Sequence, residues 1–244
     1  ESGVMLKAVL RKRTSTTGDN GSETKKTQNV VYEYNRSASA AISEFAPLNS
    51  FYAGGRKLNI NQIDLASSEI ELWRLCPTCS HAEKEVDGTH VTNCPECGSL
   101  MWSDSGQLRP MLKVHMVYSN SDYSKSLIGD ESDDRSVKFY NKQLLIDVDE
   151  EHDITKAYQM DNDDFSFGYE FVKKAKIREI NFGESDSSGE KMSVSGIESV
   201  RKGFRICKYC GTIQSGDKPS HTFSCKARNG LLGETEPYEE CLFL

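Results

Sequence analysis

The sequence predicts a mainly β protein with short helices only, an α+β arrangement in which a small β domain carries a zinc-ribbon-like four-cysteine site and a C-terminal Cys3His zinc knuckle follows. Three observations lead there. Short runs of β-branched and aromatic residues recur between Gly, Pro and Ser/Asp joints. No stretch shows the sustained 3.6-residue apolar period of a long amphipathic helix. The cysteines fall into close pairs, Cys76-Pro-Thr-Cys79, Cys94-Pro-Glu-Cys97 and Cys207-Lys-Tyr-Cys210, a spacing that aims two sulfurs at one point.

Along the chain, residues 3–13 form a short apolar element with basic positions at Lys7, Arg11, Lys12 and Arg13. Residues 14–28 are Thr/Ser/Gly/Asp/Lys-rich without periodicity and read as a mobile insertion, so residues 1–29 are taken as the end of a preceding element plus that insertion. Strand-type residues resume at Val30-Val-Tyr-Glu-Tyr34. Residues 40–45, 50–53 and 56–65, parted by Pro47 and Gly54-Gly55, suggest a small β-hairpin unit. Trp73-Arg-Leu75 and Leu100-Met-Trp102 flank the first cysteine cluster as expected ribbon strands, giving a unit over 30–110.

A β-rich domain over 111–182 follows, with expected strands at 112–118, 137–140, 143–148 and 155–160. Phe165-Ser-Phe-Gly-Tyr-Glu-Phe171 alternates strictly, so Phe165, Phe167, Tyr169 and Phe171 share one face of a strand. Such a face is expected inside a sheet rather than as a stacking platform. Residues 183–198 read as a polar linker, and 199–244 as the basic knuckle, the start of a domain cut at its C-terminus. The chain opens at Glu1 without a methionine and stops on Glu240-Cys-Leu-Phe-Leu244, which reads as a piece of a larger protein.

The first metal site is Cys76, Cys79, Cys94 and Cys97, with fourteen residues between the pairs. Each proline presets φ in its turn, and Gly98 can take the left-handed conformation that turns backbone N–H groups toward sulfur. Four thiolates close a tetrahedral shell and leave no position for a reactive water, so the reading is structural; zinc and iron both suit the cage. His81 and His90, in the intervening loop, are expected to be bystanders. The second site is Cys207, Cys210, His221 and Cys225, the last two within one turn as His-x3-Cys, with Cys241 as an alternative to His221. The cofactor expected is therefore Zn2+ at two sites.

Net charge is −7, without the overall basic footprint of a dedicated nucleic-acid binder. The knuckle is the exception: Arg201, Lys202, Arg205, Lys208, Lys218, Lys226 and Arg228 face Asp217 alone between 201 and 228. With Tyr209 for stacking, the candidate nucleic-acid contacts are Arg201, Lys202, Arg205, Lys208, Tyr209, Lys226 and Arg228. The acidic runs at 130–135, 147–153 and 161–164 raise the question of a calcium, magnesium or nuclease site. In the later two the calcium-loop template fails: His152 or Ser166 stands where glycine is required, and Tyr158 or Val172 where glutamate is. They read as solvated loops. Gly54-Gly-Arg-Lys57 lacks the spacing and the Ser/Thr of a phosphate loop, and no nucleotide-hydrolysis, Gly-x-Ser-x-Gly or His-Glu-x-x-His motif is present. No catalytic residue is expected. No apolar run reaches bilayer length, and paired rather than dispersed cysteines fit a reducing, cytoplasmic setting.

Ile42-Ser-Glu-Phe-Ala-Pro-Leu-Asn-Ser-Phe-Tyr-Ala-Gly-Gly-Arg-Lys57, Asp130-Glu-Ser-Asp-Asp-Arg135, Gly203-Phe-Arg-Ile-Cys-Lys-Tyr-Cys-Gly211, His221-Thr-Phe-Ser-Cys225 and Glu240-Cys-Leu-Phe-Leu244 together resemble the C-terminal region of large bacterial DEAD/DEAH-type helicases. These carry the zinc-binding domain named after the mitomycin-repair helicase, and relatives occur in phage-defence systems of the DISARM and Druantia kinds. The resemblance spans about residue 30 to the last. It implies metal ligation by Cys207, Cys210, His221 and Cys225, with Cys241 free. It further implies RecA-like domains upstream that hydrolyse ATP, and single-stranded DNA as a partner of the whole protein. The expected role is a non-catalytic zinc-binding accessory region for DNA repair or antiviral defence. The competing expectation is a protein-interaction module of a defence complex that does not touch DNA.

Overall fold

The computed structural model describes residues 3–17, 23–68, 70–86, 91–129, 138–161, 167–185, 188–189, 191–216, 221–229 and 238–243, with side chains left undescribed at 16–17, 23–25, 228–229 and 238–243. Strands dominate, as the sequence predicts. In chain order they are β1 (Gly3–Thr17), β2 (Glu23–Ser37), β3 (Ser50–Ala53), β4 (Arg56–Asn59), β5 (Gln62–Ile63), β6 (Ile70–Leu75), β7 (Ala82–Lys84), β8 (Leu108–Leu112) and β9 (Met116–Asp122). They continue with β10 (Tyr140–Asp147), β11 (Ile154–Gln159), β12 (Gly168–Val172), β13 (Lys176–Glu184), β14 (Lys191–Val194), β15 (Ile197–Val200), β16 (Phe204–Cys207) and β17 (Tyr238–Phe243). One α-helix, α1 (Ala38–Glu44), interrupts them.

A four-stranded sheet runs β2-β1-β9-β5, with β1 and β9 parallel. A larger sheet runs β10-β13-β17-β8-β6-β7, with β16 added on β17. Val4, Leu6, Ala8 and Leu10 alternate inward from β1, and meet Ile42 and Phe45 of the helical segment, Leu58, Val117, Phe204, Ile206 and Ile213 in one core. That core draws on four of the five segments expected from the sequence, all but the supposed linker. A second core joins Leu75, Met111, Leu145, Ile180, Phe182, Met192 and Val194. Asn181, fully buried, ties the two, since its Nδ2 donates to the Ile42 carbonyl at 2.8 Å.

Several local expectations are corrected. The supposed insertion is mostly strand, because β1 and β2 pair in register out to Thr17 opposite Glu23; residues 18–22 lie outside the described part. Residues 11–15 are exposed on both faces, so no apolar alternation marks the strand. Residues 40–45 are largely α1, with Ala41 and Ile42 on its buried side. Residues 100–103 form a 3-10 turn that buries Trp102 rather than a ribbon strand. Residues 112–118 belong to two strands, β8 and β9. Residues 143–148 merge with Tyr140 in β10, whereas Val137 lies outside the described residues.

Much of the expected linker is the β14–β15 hairpin, whose turn at Ser195 and Gly196 takes φ of 49° and 74°. Two consecutive positive φ values match the right-handed strand twist that a two-residue hairpin needs. The same device closes β3 onto β4, with Gly54 at 56° and Gly55 at 69°.

The aromatic strand is also corrected. Phe167, Tyr169 and Phe171 are 53, 52 and 53 % exposed, in or beside a two-stranded hairpin of β11 and β12 that joins no larger sheet; Phe165 lies outside the described residues. Tyr158 stacks on Tyr169 at 5.2 Å, and Phe171 meets both rings edge-on.

Candidate metal centres

Each cysteine pair sits in the same backbone knuckle. In the first pair, the Cys76 N–H donates to the His81 carbonyl across the tip of the β6–β7 hairpin, while the Thr78 and Cys79 N–H groups point at Cys76 Sγ at 3.4 and 3.5 Å. In the second, Cys94 N–H donates to Ser99 O and Gly98 N–H returns to Cys94 O. In the third, Cys207 N–H donates to Thr212 O and Gly211 N–H returns to Cys207 O. Gly98 and Gly211 adopt φ of 72° and 70°, the left-handed conformation that closes the turn. The role expected of Gly98 is thus present; that of Gly211 was equally legible from its place after Cys210.

The knuckles bring the expected ligands together. Cys76 Sγ lies 3.6 Å from Cys97 Sγ, and Cys79 Sγ 3.6 Å from Cys94 Sγ. In the other centre Cys207 and Cys225 are 3.8 Å apart, and His221 Nδ1 is 3.8 Å from Cys210 Sγ and 3.5 Å from Cys225 Sγ. Disulfide sulfurs would lie about 2.05 Å apart. A cation about 2.3 Å from sulfur and 2.0–2.1 Å from nitrogen spans tetrahedral edges of roughly 3.8 Å for S–S and 3.6 Å for S–N. Both groups therefore fit a tetrahedral metal ion, four ligands each. His221 occupies the fourth corner of the second centre, while the β16–β17 register sets Cys241 opposite Phe204 rather than Cys207.

Burial and polar neighbours tune the thiols differently. Burial pushes the Cys79 thiol well up, Cys94 up to about 11 and Cys207 up to about 12. Burial acts the same way on Cys97, yet the Ser99 N–H and the neighbouring thiols outweigh it and lower its pKa. Cys210 is also opposed by burial, but the Thr212 hydroxyl at 3.2 Å, the Thr222 and Thr212 N–H groups and His221 bring it down to about 6. A buried neutral thiol and a ready thiolate side by side are what a bound divalent cation converts into a uniform thiolate shell.

The first centre is built into the fold from both sides. Cys76, Cys94 and Trp102 form a small buried cluster. Arg74, 5 % exposed, donates to the Trp102 carbonyl at 2.9 Å and grips Glu85 through two nitrogens at 3.1 and 3.2 Å. From the far side, the β14–β15 turn bonds the knuckle directly: Ser195 N–H to Cys76 O at 2.9 Å and Gly196 N–H to Pro77 O at 2.7 Å. The second centre is tied to β5, where Ile63 N–H donates to Gly211 O and Gln62 Nε2 to Cys210 O, both at 2.8 Å.

The basic face changes composition. Arg201 is 5 % exposed, and its guanidinium lies 4.0 Å from the Phe182 ring centroid while donating to the Met192 and Ile197 carbonyls and to Gln143 Oε1. Burial lowers its pKa to about 10. It is thus withdrawn from the candidate DNA contacts, because a guanidinium committed to interior carbonyls cannot neutralise a phosphate. Lys202, Lys208, Tyr209 and Lys226 are exposed and Arg205 partly so, whereas the Arg228 side chain lies outside the described residues. Beside the Cys3His centre opens a cleft of about 590 Å³ lined by Arg11, Asn61, Asn120, Thr212, His221 and Phe223. The Phe223 ring is 87 % exposed.

Other discounted features resolve as structure. Arg56 of the Gly-Gly-Arg-Lys run is 5 % exposed, stacked 4.1 Å from Tyr123 and 5.0 Å from Tyr32, and bonded to Ser126 Oγ at 2.7 Å. Asp149 caps its own turn by accepting from Glu151 N–H and His152 N–H. Residues 130–135 and most of 161–164 lie outside the described residues, as does His90. One expectation fails here: Asp147 is 8 % exposed, not part of a solvated loop. His81 stays outside the four-cysteine group as expected, with its side chain 10 % exposed beside Asp147.

No family model, curated protein or solved structure matches the chain. Among the described residues, no helix is long and apolar enough to cross a membrane.

Proposed function

We propose that this chain is a non-catalytic, zinc-binding accessory region of an ATP-dependent DNA helicase, acting in DNA repair or antiviral defence. Zinc at both centres holds the fold, and the Cys3His knuckle contacts single-stranded DNA. The observation that supports this reading is the pairing of two four-ligand shells with a cleft at the second of them. Four protein ligands leave no open position for a reactive water. Arg11 and the exposed Phe223 ring line one cleft, and the exposed Lys226 follows Phe223 closely in sequence, a cation-and-ring combination that suits a phosphate and a stacked base.

Charge reversal at Lys202, Lys208 and Lys226 tests it. Each phosphate contact contributes about 0.7 to the slope of log affinity against log salt for a single strand, so loss of three lowers the slope by about 2. An unchanged slope and affinity would remove DNA from the account. The second reading, a protein-interaction module, draws on the β11–β12 hairpin, whose aromatic rings are half-exposed beside the acidic residues Asp149, Glu150, Glu151 and Glu170. Under that reading the charge reversals are silent, and Tyr169→Ala weakens capture of a protein partner.

A further inference from the structure

We propose a third cation site, formed by His81 Nδ1, Asp147 and Glu96 where the four-cysteine ribbon meets the end of β10, that takes an exchangeable divalent ion of the zinc type. The starting point is an unsatisfied ring. The His81 side chain is nine-tenths buried, and neither ring nitrogen has a hydrogen-bond partner. A buried polar atom in that state is costly, and such atoms are rare in folded proteins.

The ring instead faces carboxylates without making a hydrogen bond to any of them. Nδ1 lies 3.3 Å from Asp147 Oδ2 and 3.8 Å from Glu96 Oε1, and Nε2 lies 3.5 Å from Glu83 Oε2. For a cation about 2.0–2.2 Å from nitrogen and oxygen, the tetrahedral N–O edge is roughly 3.4 Å. The His81–Asp147 separation of 3.3 Å matches that edge, and Glu96, at 3.8 Å, closes onto the same ion with a small side-chain shift. The ligand atoms of His81, Glu96 and Asp147 all lie within 4.8 Å of one another.

Charge and supporting contacts agree. Glu83, Glu96 and Asp147 contribute −3 and Arg178 contributes +1, leaving −2 around the imidazole. A divalent cation balances that sum. Glu83, on the Nε2 side, stands where a carboxylate orients a metal-bound histidine through its other nitrogen. Arg178 Nη1 is 3.6 Å from Asp147 Oδ2, and its guanidinium packs 5.2 Å from the Trp73 ring centroid, which fixes the carboxylate from behind. The donors are one nitrogen and two carboxylates, harder than four sulfurs and incomplete as a shell. The site therefore binds more weakly than the thiolate centres and keeps a position for water or a ligand. The ion would couple the ribbon, which supplies His81 and Glu96, to β10, which supplies Asp147.

The test is metal content of the whole chain at equilibrium with micromolar free Zn2+, with both thiolate centres already filled. Wild type is expected to hold a third equivalent beyond those two. Glu96→Gln and Asp147→Asn are expected to weaken that equivalent by at least about tenfold, and Glu83→Gln by about 10- to 100-fold, in line with losses at outer-shell carboxylates. The two thiolate-bound ions and the circular dichroism stay as in wild type in Glu96→Gln, whose side chain is 39 % exposed and carries little of the fold. Two equivalents in wild type, or a third that survives both ligand substitutions, would overturn the proposal.

Discussion

Gly211 and Gly98 occupy the same knuckle position in the two centres, and replacing each with alanine separates conformational cost from contact cost. Both residues have φ near 70°, so either alanine is strained by about 1–2 kcal/mol. Their surroundings differ. A Cβ on Gly98 meets nothing within 4 Å, whereas a Cβ on Gly211 overlaps the Ile63 carbonyl oxygen. That oxygen is backbone in β5 and cannot swing aside, so β5 must retreat from the knuckle. Retreat breaks the Ile63 N–H to Gly211 O bond and the Gln62 Nε2 to Cys210 O bond, each 2.8 Å and each about 0.5–1.5 kcal/mol.

Gly98→Ala is therefore expected to cost about 1–2 kcal/mol and Gly211→Ala about 2–5 kcal/mol, from a total that for a typical domain is about 5–15 kcal/mol. Urea unfolding at fixed free zinc reads both, because bound metal itself contributes to stability. Gly211→Ala should also speed zinc loss to a chelator from the Cys3His centre and leave the four-cysteine centre alone. Equal costs for the two variants, or a Gly211→Ala cost within the strain value alone, would refute the close approach of β5.

Two further outcomes follow from burial. Arg201→Met leaves Gln143 Oε1 and two carbonyls without their donor, so it is expected to cost about 3 kcal/mol in denaturant while changing single-stranded DNA affinity less than twofold. A large affinity change at unaltered stability would return Arg201 to the binding face. Tyr169→Ala and Phe171→Ala, on a hairpin exposed on both sides, are each expected to cost under about 1 kcal/mol, against the 3–5 kcal/mol of a core aromatic. A core-sized loss by urea titration would mean that the hairpin is packed.

The metal ligands were legible because their spacing encodes the turn itself: Cys-x2-Cys, followed by Gly98 and Gly211 in the second and third pairs and by Ser80 in the first, forces the knuckle almost regardless of what surrounds it. The β class was legible for a similar reason, since short alternating runs and Gly-Gly or Ser-Gly turns are local signals. What escaped depends on distant partners. Residues 11–17 and 23–29 are strand although both faces of the visible part are wet, so the alternation that identifies strands is missing. The β14–β15 hairpin looks like a linker because its Ser and Gly residues form the turn that bonds Cys76 and Pro77, a contact across more than a hundred residues. Arg201 reads as surface by type, and only the packing of Phe182 beneath it and Gln143 beside it shows otherwise. His81 and Asp147 are separated by the whole β8–β10 region, so nothing in either neighbourhood links them.

The central claim is that metal at the two cysteine centres holds this fold together. It is tested most directly by chelating the protein stepwise while following released metal by element and the fold by circular dichroism and tryptophan fluorescence, Trp102 being packed against Cys76 and Cys94. Two zinc ions are expected to be retained per chain at the thiolate centres, with loss of tertiary signal in step with their release, since binding and folding share one free energy. Both ions removed with spectra and urea midpoint unchanged would contradict it, and iron in place of zinc would contradict the assignment of the metal.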